Sequence, residues 1–196
     1  KTSADWTAAA TIGRIPRSDG DLYLLDVWRI KVDELRDEDE DAERGLAAAV
    51  AGHIARTRPH LVGIEEEAFK QAAIKAFVRR VRGILREKGI ACPVRSVKKS
   101  KDKWAAALLP AEHAEAGQMF ADKRAAWWPS FEASLSTFPR GKNDDDIDSF
   151  SGATQLAIEA GAPREKPTVT GYGVRARQNP ADDLPKGDVI GGRDKW

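Results

Sequence analysis

The amino-acid sequence predicts an α/β protein in which a mixed β-sheet is flanked by helices. Runs rich in β-forming residues alternate along the chain with stretches whose apolar residues recur at helical spacing. At 196 residues, of which 41% are hydrophobic, the chain is long enough to bury a core. We expect one domain over residues 1–162, followed by an extended or partly disordered tail over residues 163–196 that is rich in Pro, Gly and charge.

The composition excludes several classes of protein. The 32 basic and 31 acidic residues nearly cancel, so the net charge indicates no partner. The single cysteine, Cys92, rules out an intrachain disulfide and a cysteine-rich zinc site, and it fits a reducing compartment. No apolar run approaches the ~20 residues that a membrane-spanning helix requires. Because the chain opens on Lys1 without a Met, we expect it to be a piece of a longer protein.

The first third of the chain predicts a β-hairpin followed by a helix. Two runs of β-forming residues, Trp6–Gly13 and Leu22–Val32, are joined by turn-forming residues, as in a hairpin. The acidic run Asp37–Glu43 then suits the first turn of a helix, since negative charge is favourable there. That helix is expected to end before Pro59.

A short buried strand is predicted at Leu61–Ile64, and it ends on an acidic residue, Glu65. In α/β sheets, functional groups gather at the carboxyl ends of strands, so Glu65 is a candidate site residue. The alternative is that it belongs to a polar loop that enters the next helix. The position alone does not decide between the two.

The stretch from Phe69 to Lys88 predicts an amphipathic helix with a basic outer face. A strand from Ile90 to Val97 follows, near a sheet edge because Pro93 interrupts it. A lysine-rich loop comes next. Basic side chains of this density suit phosphate oxygens, although such faces are more often only solvated. The candidate nucleic-acid contacts are Arg79, Arg82, Lys98, Lys99, Lys101 and Lys103.

The next part of the chain predicts two helices around a short strand. The first helix, Ala105–Ala116, should be kinked or split by Pro110. Met119 and Phe120 are expected in the strand, and the second helix begins near Pro129. Trp127 and Trp128 have an aromatic surface that suits stacking on bases, but aromatic residues at helical spacing favour a place in the core. The three histidines show no metal-ligand spacing, and we interpret them as structural or surface residues.

Four aspartates lie within five positions near the start of the last predicted helix, for which Asn143 suits an N-cap. Asp144 and Asp148 would lie one turn apart, and Asp145 would share a face with Asp148. Adjacent carboxylates are what a hard divalent cation requires, because Mg²⁺ takes oxygen ligands. The alternative is an acidic first turn that the helix macrodipole favours.

The order of these elements resembles the ribonuclease H-like nuclease domain of phage terminase large subunits, the motors that package and cut viral DNA. The resemblance covers about Ala4 to Ala153. The stretches that carry it are Ala4–Ala8, Tyr23–Arg29, Val62–Glu65 and Phe138–Asp148. The last stretch, a Phe-Pro-x-Gly followed by Asp-Asp-x-x-Asp, is the most specific. The implied fold is a ribonuclease H-like mixed sheet that lacks its first strand in this chain.

The resemblance also implies roles for individual residues. Glu65 matches the acid that ends the second catalytic strand. Asp145 and Asp148 match the third acidic element, with Asp144 as their neighbour, and Lys103 matches a lysine near the site. The first catalytic Asp of the family lies on a strand upstream of Asp5, so this chain is expected to lack that ligand. The family also usually has an Arg where this chain has Ala106.

The implied chemistry is hydrolysis of DNA phosphodiesters by two Mg²⁺ or Mn²⁺ ions. The implied ligands are Asp5, Glu65, Asp144, Asp145 and Asp148. The implied partners are double-stranded DNA, an upstream ATPase domain, the portal and the small terminase subunit, in the cytoplasm of an infected bacterial host. Two other functions remain open: a non-catalytic DNA-binding or docking module, and another ribonuclease H-like nuclease such as a resolvase.

Overall fold

The computed structural model of the protein describes residues 6–15, 20–31, 42–66, 71–98, 102–141, 144–161 and 188–189. Strands and helices alternate along these residues, as the sequence predicts. Their order is β1 (Trp6–Arg14), β2 (Leu22–Lys31), α1 (Ala42–Thr57), β3 (Val62–Glu65), α2 (Gln71–Glu87), β4 (Val94–Val97), α3 (Lys103–Glu115), β5 (Met119–Ala121), α4 (Trp128–Thr137), α5 (Asp145–Ala160) and β6 (Asp188–Val189). The predicted α/β class, with a mixed sheet flanked by helices, is confirmed.

The strands form two sheets. The first is mixed and has the order β1-β2-β5-β6: β1 and β2 form the predicted antiparallel hairpin, and β2 is parallel to β5. The second contains β3 and β4, which are parallel. Within the described residues, β1 pairs with β2 alone and β3 pairs with β4 alone. Helix α5 packs against both β1 and β3, and so joins the two sheets.

Each sheet has its own hydrophobic core. The first core lies between β2, β5 and helices α3, α4 and α5, and includes Phe131 and Met119, both fully buried. The second core lies between α1, α2 and β4, where Val81 and Val94 are fully buried. The predicted amphipathic stripe of α2 therefore faces a core, while β3 is only half-buried, in contrast to the fully buried strand that its apolar run predicted.

Several details differ from the predictions, among them the following three. β4 begins at Val94 instead of Ile90, because Pro93 offers only its carbonyl, which accepts a hydrogen bond from the Val62 N–H at 2.9 Å. α3 is one unbroken helix across Pro110, a residue that is buried, and core packing offsets the missing hydrogen bond. α5 has Asp144 rather than Asn143 as its N-cap residue, and Asn143 lies outside the described residues.

The predicted tail is described only at residues 188–189. These two residues form β6, which pairs antiparallel with β5 through Phe120↔Val189 and Ala121↔Asp188. The rest of residues 163–196 lies outside the described residues, so the extended or partly disordered tail stays a prediction. Across the described ranges, none of the helices combines the length and apolarity that crossing a membrane requires.

Candidate active site

Glu65 lies at the carboxyl end of β3, beside helix α5. It is the last residue of the strand and is in register with Val97 of β4. Its Oε1 atom is 3.5 Å from the position that a Cβ on Gly152 would occupy. Gly152 lies in α5, one turn after Asp148. The structure thus brings the acid that ends β3 to the helix that carries the aspartates.

The aspartates of α5 point in different directions because each residue advances about 100° around a helix. Asp145, Asp148 and Gly152 are three and four residues apart, so they share one face. Glu65 contacts this face at Gly152. Asp145 is half-buried, and the side chain of Asp148 is only 10% exposed.

Lys103 connects α3 to the aspartates. Its Nζ atom lies 2.6 Å from Asp144 Oδ2 and 3.1 Å from Asp148 Oδ2. The hydrogen bonds to these carboxylates, that to Asp144 above all, hold the pKa of Lys103 well above its ordinary value. Lys103 therefore carries its charge at any physiological pH, at the rim of the carboxylate cluster.

Asp146 is a structural neighbour of the candidate site that the sequence patterns did not single out. It is 4% exposed, and its Oδ2 accepts hydrogen bonds from Ser134 at 3.0 Å and from Arg29 at 3.2 Å. It therefore ties α5 to α4 and β2. Its position in the sequence carried a signal, because it falls in the buried stripe of α5 together with Ile147 and Phe150.

The donors at this site are carboxylate oxygens, which is the chemistry that Mg²⁺ or Mn²⁺ prefers. Within the part of the chain that the structure describes, however, no three or more His, Cys, Asp or Glu side chains come close enough together to hold a metal ion. Asp5, the other expected ligand, lies outside the described residues. The described acids fit a divalent ion in kind, but they form only part of a site for one.

Apart from Lys103, which pairs with Asp144 and Asp148, the predicted nucleic-acid contacts divide into three groups. Lys99 and Lys101 lie outside the described residues. Lys98 and Arg79 are exposed, and Arg79 lines a groove of about 470 Å³ between α2 and β4. Arg82 lines the same groove, but its Nε donates to the Val94 carbonyl at 2.9 Å and its terminal nitrogen donates to the same oxygen.

The groove between α2 and β4 is strongly basic. Its lining residues are Lys75, Val78, Arg79, Arg82, Arg86, Arg95 and Ser96. The four basic residues of α2 among them form one stripe along the helix. Ser96, at the carboxyl end of β4, donates a hydrogen bond to Glu66 at 3.0 Å. Since Glu66 follows Glu65 in the chain, the groove extends to the same end of the sheet as the carboxylate cluster.

Comparisons with known proteins found a likeness of fold. No protein-family model and no curated protein matches the chain. Among solved structures, the chain is similar to the Thermus thermophilus RuvC structure, with a TM-score of 0.40 and 16% sequence identity. The match covers 80% of this chain and 92% of that chain. The likeness concerns the fold alone.

Proposed function

We propose that this chain is a divalent-metal-dependent DNA endonuclease domain that hydrolyses phosphodiester bonds. The observation that supports it most directly is the approach of Glu65 Oε1 to Gly152, at 3.5 Å from the Cβ position. This contact sets an acid from a strand end beside the face of α5 that carries Asp145 and Asp148. The contact lies one helical turn from Asp148, a placement that a structural role for either acid alone would not require.

The carboxylates of this cluster would hold the metal. Glu65, Asp145 and Asp148 are the proposed ligands, with Asp144 beside them and Asp5 as a further candidate outside the described residues. When bound, divalent ions activate a water molecule and neutralise charge on the phosphate. Asp148 is 10% exposed and is paired with the Lys103 ammonium group, so a bound ion would share this carboxylate with Lys103.

Lys103 would bind the phosphate at the rim of the site. Its ammonium group is charged, and the hydrogen bonds to Asp144 and Asp148 raise its pKa further. A metal ion that neutralises these carboxylates would leave the ammonium group able to contact a phosphate oxygen. The basic groove along α2 would contact further phosphates without reading bases, as suits a nuclease of low sequence preference.

The particular biological role that we propose is that of the nuclease domain of a viral DNA-packaging terminase. The Phe138–Asp148 stretch, with its Phe-Pro-x-Gly and Asp-Asp-x-x-Asp pattern, supports this role by resemblance. The proposed partners are double-stranded DNA, an ATPase domain, the portal and the small terminase subunit, in the cytoplasm of an infected bacterium.

Replacement of one site carboxylate tests the proposal. We expect Glu65→Gln to lower Mn²⁺-dependent plasmid cleavage by more than roughly 100-fold, because even the outer partners of metal ligands account for 10–100-fold effects. Asp148→Asn should have a similar effect. The measurement is the initial rate of plasmid nicking on agarose gels, with folding checked by circular dichroism.

Glu66→Gln is the matched control, since Glu66 is the adjacent residue and bonds to Ser96. It should cleave at close to the wild-type rate. If Glu65→Gln and Asp148→Asn also cut at the wild-type rate, the site assignment is wrong.

A second candidate function is a DNA-binding or docking module without catalysis. One observation favours it: the ammonium group of Lys103 already neutralises Asp144 and Asp148, as in a structural ion pair. Calorimetric titration with Mn²⁺ separates the two functions. Heat of binding that Glu65→Gln abolishes supports the nuclease, whereas no heat and no cleavage supports the module.

A further inference from the structure

Trp104 is a large, exposed aromatic side chain next to the candidate active site. It follows Lys103 directly, and 58% of its surface is accessible. One side of its ring stacks on Phe138, with the centroids 5.8 Å apart and the planes 26° apart. Its backbone N–H donates to Asp102 at 2.9 Å, in the cap that starts α3. The ring is thus held at a well-defined place and presents apolar surface to solvent.

Trp104 forms part of the wall of a cleft that adjoins the carboxylate cluster. The cleft has a volume of about 360 Å³ and is lined by Asp102, Lys103, Trp104, Phe138, Pro139 and Asp144. Three of these residues, Trp104, Phe138 and Pro139, are apolar. Lys103 and Asp144 are themselves members of the candidate active site. A group bound against Trp104 would therefore lie within reach of the Lys103 ammonium.

We infer that this cleft binds an unpaired base of a nucleic-acid strand, stacked against Trp104, with a neighbouring phosphate at Lys103. The choice of a nucleic acid as ligand rests on the proposed function. An aromatic ring that stands beside a cation is the combination by which proteins bind unpaired strands. A base within an intact duplex is already stacked on both faces, so the ring would select unpaired or frayed positions.

Binding of DNA in the absence of metal tests this inference. Fluorescence anisotropy in EDTA would compare a single-stranded oligonucleotide with a blunt duplex for the wild type, Trp104→Ala, Trp104→Phe and Leu108→Ala. We expect Trp104→Ala to weaken binding of the single strand roughly tenfold, the usual size for the loss of a stacking residue. Duplex binding should stay within about twofold of wild type, since stacking applies only to unpaired bases. Trp104→Phe should retain most of the affinity for the single strand.

Leu108→Ala is the matched control. Leu108 is exposed on the same helix, one turn beyond Trp104, but it does not line the cleft. Equal single-strand affinity for Trp104→Ala and wild type would overturn the inference. An equal loss of affinity for the single strand and the duplex would also overturn it. So would a loss for Leu108→Ala as large as that for Trp104→Ala, because that result would indicate an apolar docking patch for a protein segment.

Two further measurements keep the test independent of folding and of catalysis. Quenching of tryptophan fluorescence by the oligonucleotide should occur in the wild type and be largely lost in Trp104→Phe; no quenching in the wild type would also overturn the inference. If the wild type binds the single strand through Trp104 but never cuts, the proposed function fails and the subsite stands. If it cuts and Trp104→Ala binds normally, the subsite fails and the function stands.

Discussion

Neighbouring aspartates at the start of α5 have different partners, and the turn of the helix is the reason. Asp144 and Asp148 share the ammonium group of Lys103, whereas Asp146 faces Arg29 and Ser134. The repulsion that four close carboxylates would otherwise cause is offset in part by one cation on each side of the helix. The same sequence motif thus contributes both to a candidate site and to the joint between α5 and the first core.

His53 illustrates how burial controls a titratable residue outside the candidate site. It is 7% exposed, stacks on Trp28 with centroids 5.1 Å apart, and shares Asp26 with Arg56. Burial lowers the pKa of His53; the Asp26 carboxylate opposes this shift, and the Arg56 guanidinium adds to it. The histidine is therefore neutral in the folded chain at neutral pH.

We predict that this histidine makes the protein less stable in acid. With a folded pKa below the unfolded value of about 6.5, the unfolded chain binds the proton first, so stability is complete above pH 6.5 and declines as the pH falls below it. Urea unfolding between pH 8 and pH 5 measures the decline, which His53→Gln should reduce. The exposed residue His60 provides the control, and the idea fails if His60→Gln flattens the profile equally.

At the scale of elements, α2 carries different functions on its two sides. Its apolar side, which includes Phe77 and Val81, packs in the second core. Its basic side lines the groove shared with β4. Arg82 lies on the basic side, yet its two donors to the Val94 carbonyl hold β4 against the helix. An arginine that lies on a basic helix face is therefore not necessarily a nucleic-acid contact.

We predict that mutations of the α2 arginines have two different effects, one on DNA binding and one on stability. Arg79→Ala and Arg86→Ala should weaken duplex binding at low salt and reduce the slope of log K against log salt by about 1 each, because each removes one phosphate contact. Arg82→Ala should instead lower the free energy of unfolding by roughly 1–3 kcal/mol, as expected for the loss of a charged hydrogen-bond donor.

The measurements are anisotropy titrations across a range of salt concentrations and urea unfolding curves. The distinction between the arginines is wrong if Arg82→Ala alters the salt slope as much as Arg79→Ala does and leaves stability unchanged.

At the scale of the whole molecule, α5 is the helix that connects the two sheets. The first sheet contacts this helix through β1, and the second contacts it through β3. At the second contact, a Cβ on Gly63 would lie 3.1 Å from Val97 Cγ1 and 3.2 Å from Leu156 Cδ2. The close approach that Gly63 permits brings Glu65, two residues later, to the aspartate face of α5.

We predict that a larger side chain at Gly63 damages both the fold and the site. Gly63→Val should overpack the contact with Leu156 and cost about 1–3 kcal/mol of unfolding free energy. Any cleavage activity should fall further than the loss of folded protein explains, because Glu65 moves away from α5. Thermal unfolding and nicking rates, measured on the same samples, test this.

Gly83→Ala is the control for this substitution. Gly83 lies in α2, and a Cβ there would meet no atom within 4 Å. Alanine should therefore stabilise the helix by up to about 1 kcal/mol. Wild-type stability and activity in Gly63→Val would show that the contact between β3 and α5 does not position the site.

How much the sequence predicted depends on whether each signal is local. The hairpin, the amphipathic stripe of α2 and the strand that ends on Glu65 follow from short-range periodicity and turn residues, so they were predictable. The short β4, the unbroken helix at Pro110 and the strand at Asp188–Val189 depend on partners distant in the chain, and local patterns cannot represent such partners.

The sequence by itself determined the α/β class, the order of elements and the candidate acids, because side-chain periodicity along each element fixes which residues face a core. Only the tertiary structure decided that Glu65 meets α5 at Gly152, that Lys103 bridges Asp144 and Asp148, and that Asp146 and Arg82 are held by the fold. The physical reason is that these contacts depend on the relative placement of packed elements, and burial and shape complementarity across the whole chain determine that placement.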